Sequence, residues 1–198
     1  MQNILIKKNQ AAIDDFSSFL REERVIPALK SMQEIDKILD TRKRLYFVLF
    51  GDILTLPDFV SKLKNAGKTV MVHIDLIDGL HSQEIAVDFI AKKTLADGIL
   101  STKANLIKYA KTQRLLTIQR FFVLDSMALV NIKKQFPLEY ADAVEIMPGL
   151  MPKIIRQITG LTNKPIIAGG LITDSQDVES VLSAGAAAVS TSKLELFQ

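Results

Sequence analysis

Two short segments near the C-terminus carry residues suited to holding an anion. PIIAGGLIT (165–173) and AGAAAVSTS (184–192) each run from apolar residues into glycine or hydroxyl residues where a helix should begin. Gly169 and Gly170 allow close approach of a ligand, because glycine has no side chain in the way and tolerates unusual dihedrals. Ser190, Thr191 and Ser192 add hydroxyl donors at a second expected helix start. Two adjacent helix N-termini with free N–H groups favour a phosphate dianion. In (β/α)8 barrels such a site recurs in the loops after strands seven and eight. A small phosphorylated ligand is therefore expected.

Other apolar runs end in polar groups that suit the rest of such a ligand. In chain order these are Asp52, His73 with Asp75, Ser101 with Lys103, Gln119 with Arg120, and Glu145. Side chains alternate along a strand, so His73 and Asp75 share the face of Met71, and Gln119 goes with Thr117. With Glu145, Asp75 and Gln119 expected inward around one mouth, Asp52, Asp75, Lys103, Gln119 and Glu145 are the candidates for binding the hydroxyls of a small polyol. Asp52 and Lys103 read equally well as solvated or locally paired residues. Glu145, inside the apolar run VEIMPG, is a carboxylate whose burial is costly unless it is used or paired. His73, Asp75 and Glu145 have donor types that suit a divalent ion, yet they form no compact ligand motif, and no metal or other cofactor is expected. His73 could instead serve as a general acid or base. Neither a G-x-S-x-G elbow nor a cysteine is present, so no nucleophilic triad is indicated.

These residues need a scaffold that gathers many strand ends. Eight apolar runs, at 24–28, 46–50, 69–75, 97–101, 116–120, 143–147, 165–169 and 187–191, alternate with stretches showing helical spacing. Ser31-x-x-Glu34 and Thr173-x-x-Gln176 read as capping boxes, Pro57 follows Thr55 at another start, and Gly67 and Gly185 mark helix stops. Strict alternation implies parallel strands with right-handed crossovers. The expected fold is α/β, a compact (β/α)8 TIM-type barrel over 24–198 with an N-terminal helical extension over 1–23, in one domain. A doubly wound open sheet is the rival. The 198 residues carry a net charge of +3 and no cysteine. No run approaches a membrane span, and Asp14 and Asp15 fall where a signal peptide needs an apolar core. A cytoplasmic location is the default.

The cations are unevenly placed. Arg42, Lys43, Arg44, Lys68, Lys92, Lys93, Lys111, Arg114, Lys133, Lys134 and Lys164 fall in turns after helices, at the face opposite the strand ends. Helix C-termini favour cations anyway. The cluster Arg42, Lys43 and Arg44 exceeds what one helix end requires and is the candidate for a nucleic-acid backbone contact.

VMVHIDLIDGL (70–80), DGILSTKAN (97–105), LLTIQRFFVLDS (115–126), VEIMPGLMPK (144–153) and PIIAGGLIT (165–173) together resemble the glycerol uptake operon antiterminator regulatory proteins, the glycerol-3-phosphate-responsive antiterminators. The resemblance runs from about Arg24 to Lys193. It implies a barrel that binds glycerol 3-phosphate and acts on leader mRNA of glycerol-utilisation genes, as a non-catalytic RNA-binding regulator of transcription. The phosphate would then sit at Gly169, Gly170, Ser190, Thr191 and Ser192, and the glycerol end near Asp75, Gln119 and Glu145. The residues alone leave open a barrel enzyme, a lyase, isomerase or synthase, acting on a phosphorylated triose or polyol. They also leave open a monomer or a homodimer.

Overall fold

The computed structural model describes residues 16–135 and 140–196. Eight parallel strands close into a barrel in chain order. They are β1 (Val25–Leu29), β2 (Leu45–Val48), β3 (Thr69–His73), β4 (Gly98–Ser101), β5 (Leu116–Phe122), β6 (Ala143–Met147), β7 (Ile166–Gly169) and β8 (Ala188–Thr191). Helix α1 (Phe16–Glu23) precedes the barrel. Seven crossover helices follow the first seven strands: α2 (Met32–Ile38), α3 (Leu56–Asn65), α4 (Glu84–Lys93), α5 (Ala104–Thr112), α6 (Ser126–Gln135), α7 (Pro152–Thr159) and α8 (Ser175–Ser183). The barrel is closed by β1 pairing with β8, Ile26 opposite Ser190, so the open-sheet alternative is set aside. Within the N-terminal extension, residues 1–15 lie outside the described residues.

Two concentric cores follow from the alternation of side chains along each strand. Ile26, Ala28, Leu45, Phe47, Met71, Leu100, Leu116, Ile118, Ala143, Ile167 and Ala188 fill the barrel interior. Val70, Val72, Ile99, Val144, Ile146, Ile166 and Val189 point outward against the helices. Large and small residues interlock, as barrel layers require. A Cβ on Gly98 would lie 2.6 Å from the sulfur of Met71, so that glycine is what lets the methionine in. Phe16 and Leu20 of α1 join the interior cluster and plug the end where the strands begin. Full burial of such side chains is worth about 1.5–3 kcal/mol each.

That closed end is stitched by a repeated polar device. Asp97, just before β4, accepts from the Val70 amide at 2.8 Å and from Lys64 Nζ at 2.6 Å. Asp142, just before β6, accepts from the Thr117 amide at 2.9 Å and from Lys111 Nζ at 2.7 Å. In each case one carboxylate ties a strand to the helix before it and to the start of the next strand. The helix starts differ in detail from the capping boxes expected. Ser31 makes no side-chain cap, although Glu34 reaches back to the Lys30 amide at 2.6 Å. The cap of α8 is Asp174, which accepts from the Asp177 amide at 2.9 Å, while Asp177 accepts from Thr173. The box is displaced by one residue because aspartate is at least as good an N-cap as threonine.

Candidate functional site

The strand C-termini gather at one mouth, and its floor is a buried polar network. Glu145 on β6 is fully buried, and Arg120 on β5 is its register partner. Arg120 Nε donates to Glu145 Oε2 at 2.6 Å, and the Ser190 hydroxyl on β8 donates to Glu145 Oε1 at 2.5 Å. The second bond passes over β7, which is possible because residue 169 is glycine. A Cβ there would lie 2.5 Å from Ser190 Oγ and 2.6 Å from Glu145 Oε1. The glycine expected to admit a ligand thus first admits a link between neighbouring side chains.

His73 ends β3 on the inward face shared with Met71 and is 2% exposed. Burial, reinforced by the charge of Arg120, lowers its pKa from 6.5 to about 4, so the ring is neutral near pH 7. Its Nδ1 is buried without a hydrogen-bond partner among the described residues.

Several candidate residues stand elsewhere than the alternation suggested. Gln119 is not inward. It lies on the face of Thr117 and donates from Nε2 to the Thr102 carbonyl at 3.1 Å, while Leu116 and Ile118 are in the interior core. Arg120 therefore takes the inward place assigned to Gln119. Both faces of a barrel strand are buried, so polarity alone does not set the phase. The signal available was the apolar pair Leu116 and Ile118, in step with Arg120.

Asp75 leaves the strand in a 3-10 turn, Ile74–Leu76. It accepts from Ser101 Oγ at 2.9 Å, from the Thr102 amide at 2.7 Å and from Thr102 Oγ1 at 2.9 Å. Burial pushes its pKa upward, but these hydrogen bonds prevail and hold it below the ordinary aspartate value. Lys103 Nζ lies 4.0 Å from Asp75 and donates to the Ser82 hydroxyl. Asp52 caps its own turn, accepting from the amides of Leu54 and Thr55 at 2.8 and 2.9 Å. Those bonds lower its pKa. It positions the start of α3.

At the ends of β7 and β8, Gly170 and Leu171 take φ of +77° and +62°, so the chain turns sharply between strand and helix. Asp174 and Asp177 already serve the N-terminus of α8. Thr191 donates to the Ile172 carbonyl at 3.0 Å, and Ser192 is half-buried at the rim. Beyond β8 the described residues form a 3-10 turn, Leu194–Leu196, in place of the second helix start expected. An anion here would meet the 170–172 backbone and the 192–193 segment.

At the opposite end, two of the three clustered cations serve α1. Arg44 donates to Glu23 Oε1 at 2.6 Å and to Glu22 Oε2 at 2.8 Å, and stacks 4.7 Å from the centre of the Phe19 ring. Lys43 donates to the Glu23 carbonyl at 2.9 Å, and burial lowers its pKa. Arg42 is exposed. A cleft of about 770 Å³ opens beside this cluster. Its lining is of mixed sign and largely paired within the protein. No group of three or more His, Cys, Asp or Glu side chains that could hold a metal ion occurs among the described residues.

Fold and mouth together define a compact (β/α)8 barrel with a buried Arg–Glu–Ser floor and glycine-lined loops after β7. The chain belongs to the glycerol-3-phosphate responsive antiterminator family, whose model matches residues 25–197. It is 39% identical over 172 residues to YgcP of Escherichia coli K12, covering 87% of this chain and 90% of that one. The crystal structure of a glycerol uptake operon antiterminator regulatory protein from Listeria monocytogenes is 34% identical with a TM-score of 0.85, covering 88% and 95%. An antiterminator-related protein from Thermotoga maritima is 35% identical with a TM-score of 0.76, covering 88% and 97%. Likenesses to aldolases at 12–15% identity show the fold alone.

Proposed function

We propose that this protein is a glycerol-3-phosphate-responsive antiterminator that binds leader mRNA and controls genes of glycerol uptake and utilisation. The observation that carries the reading is the match of the family model to residues 25–197, which takes in the whole barrel and every residue of the mouth. The ligand's phosphate lies against Gly169, Gly170 and Ser192 at the rim, and its glycerol end reaches down toward the Arg120–Glu145–Ser190 floor. Ligand switches RNA affinity because it binds the RNA-competent state better, a coupling of typically ~1–3 kcal/mol.

The competing reading is an enzyme on a phosphorylated triose. Lysine chemistry of the Schiff-base kind asks for a desolvated amine within the barrel. The eight strands carry no lysine, and Lys103 is part-exposed beside Ser82 and Asp75. Glu145, the one carboxylate on the floor, is already engaged by Arg120 and Ser190. Both observations favour a sensor over a catalyst.

Binding of a leader-RNA hairpin, measured with and without glycerol 3-phosphate while NMR follows the ligand, separates the two. Ligand-dependent RNA binding without turnover is expected. Conversion of the ligand, or RNA binding indifferent to it, overturns the proposal.

A further inference from the structure

His73 and Arg120 stand inward at the C-terminal ends of β3 and β5, with hydrogen-bonding capacity that no other residue among those described uses. Arg120 gives Nε to Glu145, and no acceptor among the described residues takes its Nη groups. His73 has a buried Nδ1 that bonds no other residue among those described. Buried polar atoms are nearly always paired, so such an orphan calls for an explanation. A core histidine kept only for packing would normally bond a carbonyl or hydroxyl. This one instead follows Met71 on the inward face and lies where the charge of Arg120 acts on it.

We infer that His73 and Arg120 together read one alcohol group of the ligand, the hydroxyl accepting from an Arg120 Nη–H and donating to His73 Nδ1. The inference rests on the reading of the mouth as a polyol-phosphate site and specifies its selectivity. A neutral imidazole protonated on Nε2 presents Nδ1 as an acceptor, and the guanidinium is a donor only. An alcohol satisfies both, since it donates one hydrogen bond and accepts others. A ketone or aldehyde accepts from Arg120 but has no proton for His73, and entering the site it leaves that nitrogen orphaned. The pair therefore selects a three-carbon phosphate in the alcohol state over its carbonyl counterpart. Glu145 and Ser190 act as positioning residues, because they hold the guanidinium by its Nε edge and leave the other edge to the ligand.

Calorimetric titration of the full chain with glycerol 3-phosphate, dihydroxyacetone phosphate and inorganic phosphate tests the inference. The expected result is a preference for the alcohol over the ketone of about tenfold to hundredfold, the size set by an unmade hydrogen bond to a buried group. His73→Phe should bring the two within about threefold, chiefly by weakening the alcohol. His73→Asn, which keeps a polar partner in nearly the same place, should recover part of the preference and serves where the phenylalanine variant melts early. Equal wild-type affinity for alcohol and ketone, with inorganic phosphate competing, overturns the inference and leaves the phosphate site standing. Should His73→Phe keep the wild-type ratio, a trapped water satisfies Nδ1 and the inference is likewise wrong. Failure of all three probes to bind removes the polyol-phosphate reading itself, and the inference with it.

Discussion

The Arg120–Glu145 pair makes the most demanding test of the site's architecture. Glu145 is 0% exposed and Arg120 is 6% exposed, so replacing Glu145 by Met leaves a guanidinium buried with no counter-charge. Breaking a buried pair from one side costs about 3–5 kcal/mol. The loss of the Ser190 acceptor falls within that range. For a chain of this size each kcal/mol moves the melting temperature by about 2–4 °C, so Glu145→Met should melt about 6–20 °C lower. The double variant Arg120→Met/Glu145→Met removes both charges and replaces them with apolar side chains of comparable volume. Such replacements are often neutral or better. The double variant should therefore recover most of the loss, with a coupling energy of at least about 2 kcal/mol. Urea unfolding at pH 7, with m compared across the four proteins, gives these energies directly. Additivity to within about 0.5 kcal/mol would falsify the claim that the two residues form one buried unit.

Three further outcomes follow from neighbouring geometry. Gly169→Ala should destabilise by about 1–3 kcal/mol and disrupt the Ser190–Glu145 bond, because its Cβ meets both partners at 2.5–2.6 Å. At Gly67, with φ of +76° and nothing within 4 Å of a Cβ, alanine should cost only the backbone strain, about 1 kcal/mol, and equal losses at the two sites would refute the crowding argument. His73 sets the acid limb of stability. Its folded pKa of about 4 lies below the reference 6.5, so between these values the unfolded chain binds the proton and the folded chain does not. Stability should fall by up to about 3 kcal/mol as pH drops from 6.5 to 4. His73→Phe should flatten that limb, while the contribution of Asp75 is lost only at lower pH, below the ordinary aspartate value. A wild-type stability that is level across that range would show the histidine to be accessible to water. At the base, Arg42→Glu should weaken leader-RNA binding and its salt dependence with no change in melting, whereas Arg44→Glu, which loses two carboxylate partners, should lower the melting temperature. If Arg42→Glu leaves RNA affinity intact, this face does not contact RNA.

The fold was legible because glycine, proline and charge punctuate each apolar run. All eight expected strands overlap the observed ones, and most boundaries agree within a residue or two. The strand β3 ends at His73 and not at Asp75, because Ile74–Leu76 continues the apolar pattern but coils into a 3-10 turn. Site residues were harder. Polarity does not set the phase of β5, because Thr117 and Gln119 donate to loop carbonyls while Arg120 points inward, so polar residues lie on both faces of that strand. The Arg42–Arg44 cluster looked like a surface for anions. Two of its members are bound to α1 through Glu22 and Glu23, some twenty residues away in sequence. Ser190 was expected to touch phosphate and instead donates to Glu145, a partner 45 residues distant. Contacts of that separation leave no local pattern to read.

The contrast between the two ends of the barrel gives the site its meaning. At the closed end, Asp97 and Asp142 each satisfy a strand amide and a lysine, and Glu23 satisfies the amide and guanidinium of Arg44. Charges arranged this way complete one another, and a ligand would have to compete with them. At the mouth the pairing stops short. Glu145 is complete, but among the described residues Arg120 has one edge committed and one edge unused, and His73 Nδ1 bonds no other residue. Leaving buried polar groups incomplete costs stability, and such departures from local consistency are expected where function requires them. A catalyst would also leave groups open there, but it would want a proton acceptor among them with a pKa near working pH. His73 titrates at about 4, which makes it a poor base near neutrality but a dependable hydrogen-bond acceptor. The same burial that makes it a weak base keeps it neutral, as the proposed alcohol contact requires.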